Sequence, residues 1–195
     1  GWPSGAMDIL DKPENRRYLT NDEEGQLRGE VAHAYFIFGI DDKAIRQARY
    51  AIANGRDHAD LAYWAGGLAA WRSGQIDLAG SFFRSLTELK DVSPGRRSAA
   101  VFWAYRVDMH QGRPVEAIAY LELAARQIDS FYGVVARHAL GQKINVSFDL
   151  PPVEDSFVDW LSARPGGQRL FALLQLGETH AAQREMRYLW MEMLE

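Results

Sequence analysis

Cysteine is absent from this 195-residue chain. No disulfide and no thiolate metal site is available to it, and its fold does not depend on the redox state of its compartment. Also missing is an apolar run long enough to cross a membrane: the longest, residues 34–40 and 99–105, fall far short of the ~18 residues a span requires. The opening GWPSGAMDIL lacks the basic head and long apolar stretch of a signal peptide. Basic charge is not in surplus. Lys and Arg number 22 against 26 Asp and Glu, and Arg16-Arg17 and Arg96-Arg97 are the only basic doublets. No nucleic-acid partner is expected, because phosphate binding needs a concentration of Lys and Arg.

Catalytic and metal-binding patterns are missing as well. His33, His58, His110, His138 and His180 never stand four residues apart, so a helix-borne metal site has no support, and neither a metal nor another cofactor is expected. No glycine-rich phosphate loop occurs. The acidic pairs Glu23-Glu24 and Glu154-Asp155 stand at expected helix starts, where they complement the helix dipole. Without an acid, base and nucleophile that belong together, no catalytic residue is assigned.

What is present is apolar and aromatic. Hydrophobic residues make up 47% of the chain, with 6 Trp, 8 Tyr and 9 Phe, enough to bury a substantial core. A pattern recurs through them: glycine, alanine five positions on, and apolar residues nine and twelve positions on. It reads Gly39-Ala44-Ala48-Ala51, Gly74-Ala79-Phe83-Leu86, Gly112-Ala117-Leu121-Ala124 and Gly177-Ala182-Met186-Leu189, and Gly1-Ala6-Leu10 fits its first part. The period is roughly 35–40 residues, and it lengthens only between Gly112 and Gly177. Each glycine suits the left-handed residue that closes one helix, each alanine lets the next helix approach closely, and the apolar positions share one helical face.

Each unit therefore reads as a helical hairpin. The first helices are expected over 23–38, 58–73 and 94–111, with Asp57 as an N-cap and Asp60 in the first turn of one, and Ser93 as N-cap before Pro94 in another. Trp64, Trp71 and Trp103 fall on these first helices as packing residues between hairpins. No segment alternates with the period of a strand. The expected fold is all-α, a right-handed superhelix of helical hairpins of the tetratricopeptide-like α-solenoid kind. After Gly141 the regularity breaks: residues 142–154 read as an extended, proline-ended linker. Beyond it lie three helices over 155–163, 167–176 and 179–193, the first two separated by the Pro-Gly-Gly at 165–167. Residues 1–7 read either as appended sequence or as the last helix of an earlier hairpin, and the Gly1-Ala6-Leu10 spacing favours the helix.

Three pieces of the chain, AYWAGGLAAWRSGQIDLAGSFFRSL (62–86), AAVFWAYRVDMHQGRPVEAIAYLELAA (99–125) and SFYGVVARHALG (130–141), together resemble the superhelical U-shaped domain of the bacterial soluble lytic murein transglycosylases. In that family an aromatic-rich hairpin is followed by a helix that opens with Phe-Tyr-Gly and closes with Leu-Gly. A proline-containing linker, similar to Leu150-Pro151-Pro152, then leads to a small linker domain resembling 155–193. The resemblance implies a periplasmic protein that acts on peptidoglycan, with residues 1–141 as part of the superhelical domain and 155–195 as the linker domain. Catalysis in the family belongs to a separate lysozyme-like domain with a Glu-Ser pair and a Gly-Leu-Met-Gln motif. Neither occurs here, so no catalytic residue carries over.

The function so implied is a non-catalytic helical scaffold that positions its own catalytic domain, glycan strands or cell-wall proteins. Phe131, Tyr132, Gly133 and Gly141 mark the family: Phe131 and Tyr132 are expected to plug the seam where the hairpins end, Gly133 to admit a neighbouring helix and Gly141 to end its own. The competing reading is a tetratricopeptide-like protein–protein adaptor that holds a peptide tail in a groove. Arg72 and Arg106, at similar places in successive hairpins, are the candidate groove-lining cations.

Overall fold

A computed structural model of the chain describes residues 2–143 and 152–193. It divides into two compact units, Gly1–Asn145 and Val146–Glu195. Among the described residues every regular element is helical. In the first unit these are α1 (Pro3–Leu10), α2 (Pro13–Arg16), α3 (Asn21–Ile37), α4 (Asp41–Gly55), α5 (Asp60–Arg72), α6 (Ile76–Glu88), α7 (Pro94–His110), α8 (Pro114–Ala125) and α9 (Phe131–Ala139), with a 3-10 turn at Arg56–His58. In the second they are α10 (Asp155–Ser162), α11 (Pro165–Gln175) and α12 (Thr179–Met193).

Local chemistry starts and stops these helices. Thr20 begins α3 with a capping box: its hydroxyl accepts from the Glu23 N–H at 3.2 Å, and the Glu23 carboxylate accepts from the Thr20 N–H at 2.8 Å. That backbone hydrogen bond, aided by the Thr20 hydroxyl, holds the Glu23 carboxyl below its ordinary pKa. Ser93 caps α7 through the Arg96 N–H, ahead of Pro94. Asp57, by contrast, caps nothing. It lies in the 3-10 turn, the N-cap of α5 is Ala59, and Asp60 in the first turn accepts from the Leu61 N–H instead. Gly39, Gly74, Gly112, Gly141 and Gly177 all have φ between 68° and 77°. After each, the following N–H reaches back to close the helix, as Ile40 does to the Tyr35 carbonyl at 2.9 Å and Gln75 to Ala70 at 2.8 Å.

The repeat predicts the core of the first unit. Ala44, Ala48, Ala51, Ala79, Phe83, Leu86, Ala117 and Ala124 have no exposed surface, and Leu121 has 4%. Helices α3 and α4, α5 and α6, and α7 and α8 pack as successive pairs, α5 also rests on α3 and α4, and α9 closes onto α7 and α8. Small residues set the spacing. A methyl group on Gly25 would lie 2.7 Å from Gly55 Cα, so the start of α3 and the end of α4 touch through their backbones. Residues 3–10 form a helix that packs on α3 and buries Leu10. Its anchor is ionic: Arg28, 2% exposed, donates to Asp11 at 2.7 Å and to Glu24 at 2.8 Å, and its guanidinium lies 4.0 Å from the Tyr50 ring centroid.

In the second unit α11 packs on α10 and α12 around Leu161, Leu170, Ala182 and Leu189. Two expectations are corrected here. Pro165-Gly166-Gly167 is the first turn of α11, with proline at the first helical position where its missing N–H costs nothing. Met186, the third member of the last glycine pattern, is 39% exposed although Ala182 and Leu189 beside it are buried, because among the described residues of this unit no further helix covers that side of α12. The expected linker, 142–154, falls for the most part outside the described residues.

Candidate functional site

The aromatic residues of α5, α6, α7 and α9 converge. Phe83 stacks on Trp103 with centroids 5.5 Å apart and meets Trp64 edge-on at 6.0 Å. Trp103 also meets Trp71 edge-on at 5.5 Å. Tyr132 of α9 joins the cluster from the other side, 6.2 Å from Trp64 and 5.3 Å from Phe102, and its hydroxyl accepts from Trp103 Nε1 at 3.3 Å. Each such ring pair contributes on the order of 0.5–1.5 kcal/mol beyond its buried area.

Helix α9 is held in place by its cap. Ser130 Oγ accepts from the Gly133 N–H at 3.0 Å and lies 2.8 Å from Ser98 Oγ on α7. Two roles expected of this segment are revised. Phe131 is 74% exposed and plugs no seam: it is the first residue of α9, and its ring meets that of Tyr132 edge-on at 5.2 Å while staying largely in solvent. Gly133 admits no neighbouring helix. The space its side chain would need is filled by the Gln127 carbonyl, because the α8–α9 connection folds back over the first turn. Replacing Gly133 by alanine is accordingly expected to cost about 2–3 kcal/mol and to free α9 locally, read as a red shift of tryptophan emission when Tyr132 leaves Trp64 and Trp103. Gly141 ends α9 with φ 68°.

The two candidate groove cations differ. Arg72 is committed to the preceding hairpin, where it donates to Asp41 at 2.5 Å and to the Phe36 carbonyl at 2.6 Å and covers the Phe36 ring at 4.2 Å. Its pKa is raised by the hydrogen bond to Asp41, and the corresponding link in the next hairpin is a Gln111–Asp77 hydrogen bond. Arg106 stands one turn further from its closing glycine than Arg72 does and takes no part in that link. Its guanidinium lies 5.1 Å from the Trp71 ring and 4.7 Å from that of Trp103, and among the described residues it has no ion-pair partner. It opens into a depression of about 450 Å³ lined by Trp71, Phe102, Tyr105, Arg106, Met109 and His110. The aromatic side chains were legible as hairpin packing, but the depression was not, since its walls come from two helices that the sequence does not place side by side.

Elsewhere in the unit, a second groove beside α4 and α6 is lined by Arg49, Tyr63, Ser81 and Ser85. Among the described residues no group of three His, Asp or Glu could hold a metal ion, and no helix is long and apolar enough to cross a membrane. No family model matches this chain, and no curated protein matches it.

Proposed function

We propose that the chain is the non-catalytic helical region of a periplasmic peptidoglycan lytic transglycosylase, its hairpins stacked as a right-handed tetratricopeptide-like superhelix. In this reading it holds glycan strands in register for a catalytic domain and offers a surface to cell-wall proteins. The observation that supports it is the Phe-Tyr-Gly helix: α9 ends the row of hairpins, capped by Ser130, and its Tyr132 is keyed by ring contacts and a hydrogen bond into the aromatic cluster of the preceding helices. That is the place such a helix takes in the resemblance. The exposed aromatic depression beside it supplies a surface on which a sugar ring can lie.

The test is sedimentation with purified murein sacculi. The chain is expected to pellet with the sacculi and to release no anhydro-muropeptides. Failure to pellet overturns the glycan-holding role, and release of anhydro products overturns the assignment as non-catalytic.

A further inference from the structure

We infer that the Arg106 depression is a subsite for a carboxylate-bearing saccharide, with Arg106 as the residue that reads the acid group. The inference rests on the glycan-holding reading and adds to it the chemical class of sugar and the residue that selects it. The first argument is charge. Arg72, Arg84, Arg96, Arg113 and Arg169 spend their guanidinium on a carboxylate, and Arg97, Arg137 and Arg164 spend theirs on backbone carbonyls. Arg106 has no such partner among the described residues, although Asp108 stands two positions along the same helix. Asp108 is 2% exposed and fully engaged by Arg84 at 3.2 Å and Arg113 at 2.5 Å.

The second argument is orientation. Trp71 and Trp103 lie edge to face, and Arg106 sits over both rings. Stacking on aromatic faces restricts a guanidinium without using its N–H donors, so the fork stays available for two parallel hydrogen bonds to a carboxylate. The third is the wall. Half-buried rings of Trp71, Phe102 and Tyr105 border an open depression, and no enclosed apolar hole is there to take a peptide side chain. A saccharide ring laid against these rings covers its C–H face and carries its acid group toward Arg106. His110, whose ring meets Trp71 edge-on at 5.5 Å, borders the same depression. It adds a second donor and no negative charge.

The experiment is calorimetric titration of the full chain with two probes of equal length: chitotetraose, which is neutral, and a tetrasaccharide alternating N-acetylglucosamine with N-acetylmuramic acid, whose lactyl groups carry free carboxylates. The acidic sugar is expected to bind about tenfold more tightly, the size of a charge-assisted hydrogen bond at an exposed site. Arg106→Gln should abolish that preference while leaving chitotetraose binding and the thermal midpoint unchanged, and Arg106→Lys should restore only part of it because an ammonium lacks the fork. Equal affinity for the two sugars, or a preference that survives in Arg106→Gln, overturns the subsite and leaves the glycan-holding reading standing. If neither sugar binds, that reading falls together with the subsite. A third titrant, an octapeptide with a free C-terminal carboxylate, covers the remaining case. Arg106-dependent binding of the peptide alone assigns the depression to a peptide adaptor and overturns the saccharide.

Discussion

Replacing Phe83 by alanine is expected to lower the stability of the N-terminal unit by about 3–5 kcal/mol, the range for removing a fully buried aromatic ring. Three contacts make this site costly. Phe83 has no exposed surface, stacks on Trp103 and meets the edge of Trp64. Its ring edge also lies against the backbone of α5, since a methyl group on Gly67 would sit 2.6 Å from Phe83 Cε1. The void left by alanine would be walled by two tryptophans and a helix backbone, none of which can shift inward without breaking its own packing, so little of the lost contact is regained. Thermal unfolding followed by tryptophan emission should show a midpoint lower by roughly 10 °C. A loss below about 1 kcal/mol would mean that the aromatic cluster repacks freely. Because Phe83 braces Trp103, on which Arg106 rests, the same variant should also blur any ligand preference of that depression.

The second large effect is expected at Arg28. Arg28→Met keeps the length of the side chain but leaves Glu24, which is 7% exposed, without its nearest cation. It also removes the hydrogen bond from Arg28 to Gln47 at 3.2 Å and the ion pair to Asp11 that fastens the end of α1. Burial works against the Arg28 charge, yet hydrogen bonds to Asp11 and Glu24 outweigh it and its pKa stands above the ordinary value. Breaking a buried pair from one side costs about 3–5 kcal/mol, and removing both charges costs much less. Arg28→Met should therefore destabilise by about 3 kcal/mol in denaturant unfolding, the lower end because Arg16 remains 3.4 Å from Glu24. Arg28→Met with Glu24→Gln should regain a large part. Asp11→Asn, at a side chain 59% exposed, should cost under about 1 kcal/mol. An Arg28→Met chain as stable as the parent would show that α1 is held by Leu10 and Met7 rather than by charge.

Much of the fold is legible in the sequence because helices start, stop and face the core by local rules. The glycine pattern marks where helices close, since a positive φ is a property of one residue and its two neighbours. The alanines and apolar residues five, nine and twelve positions later mark the buried stripe, since a helix repeats every 3.6 residues. Where the pattern misleads, a missing neighbour is the reason: Met186 occupies a stripe position on α12, but among the described residues of the C-terminal unit no helix covers it.

The candidate site is less legible. The aromatic and arginine residues are visible in the sequence, yet their spacing does not say which arginine meets a carboxylate. Arg72 stands two residues before Gly74 and Arg106 six before Gly112, and they meet opposite fates. Asp41 lies in the turn that Arg72 faces and engages it, whereas in the next hairpin Gln111 makes the link to Asp77 and Arg106 is left over two indole rings. Phe131 and Tyr132 are adjacent in sequence and their rings touch edge-on, yet one is largely exposed and the other packs into the aromatic cluster.

By itself, then, the sequence determined an all-helical chain of hairpins, because caps, closures and buried stripes are set by residues within a turn or two of each other. Only the tertiary structure decided which arginine is engaged, which aromatic ring is exposed and where a depression opens. Those outcomes depend on side chains about thirty or more residues apart, brought together by the packing of one hairpin against the next.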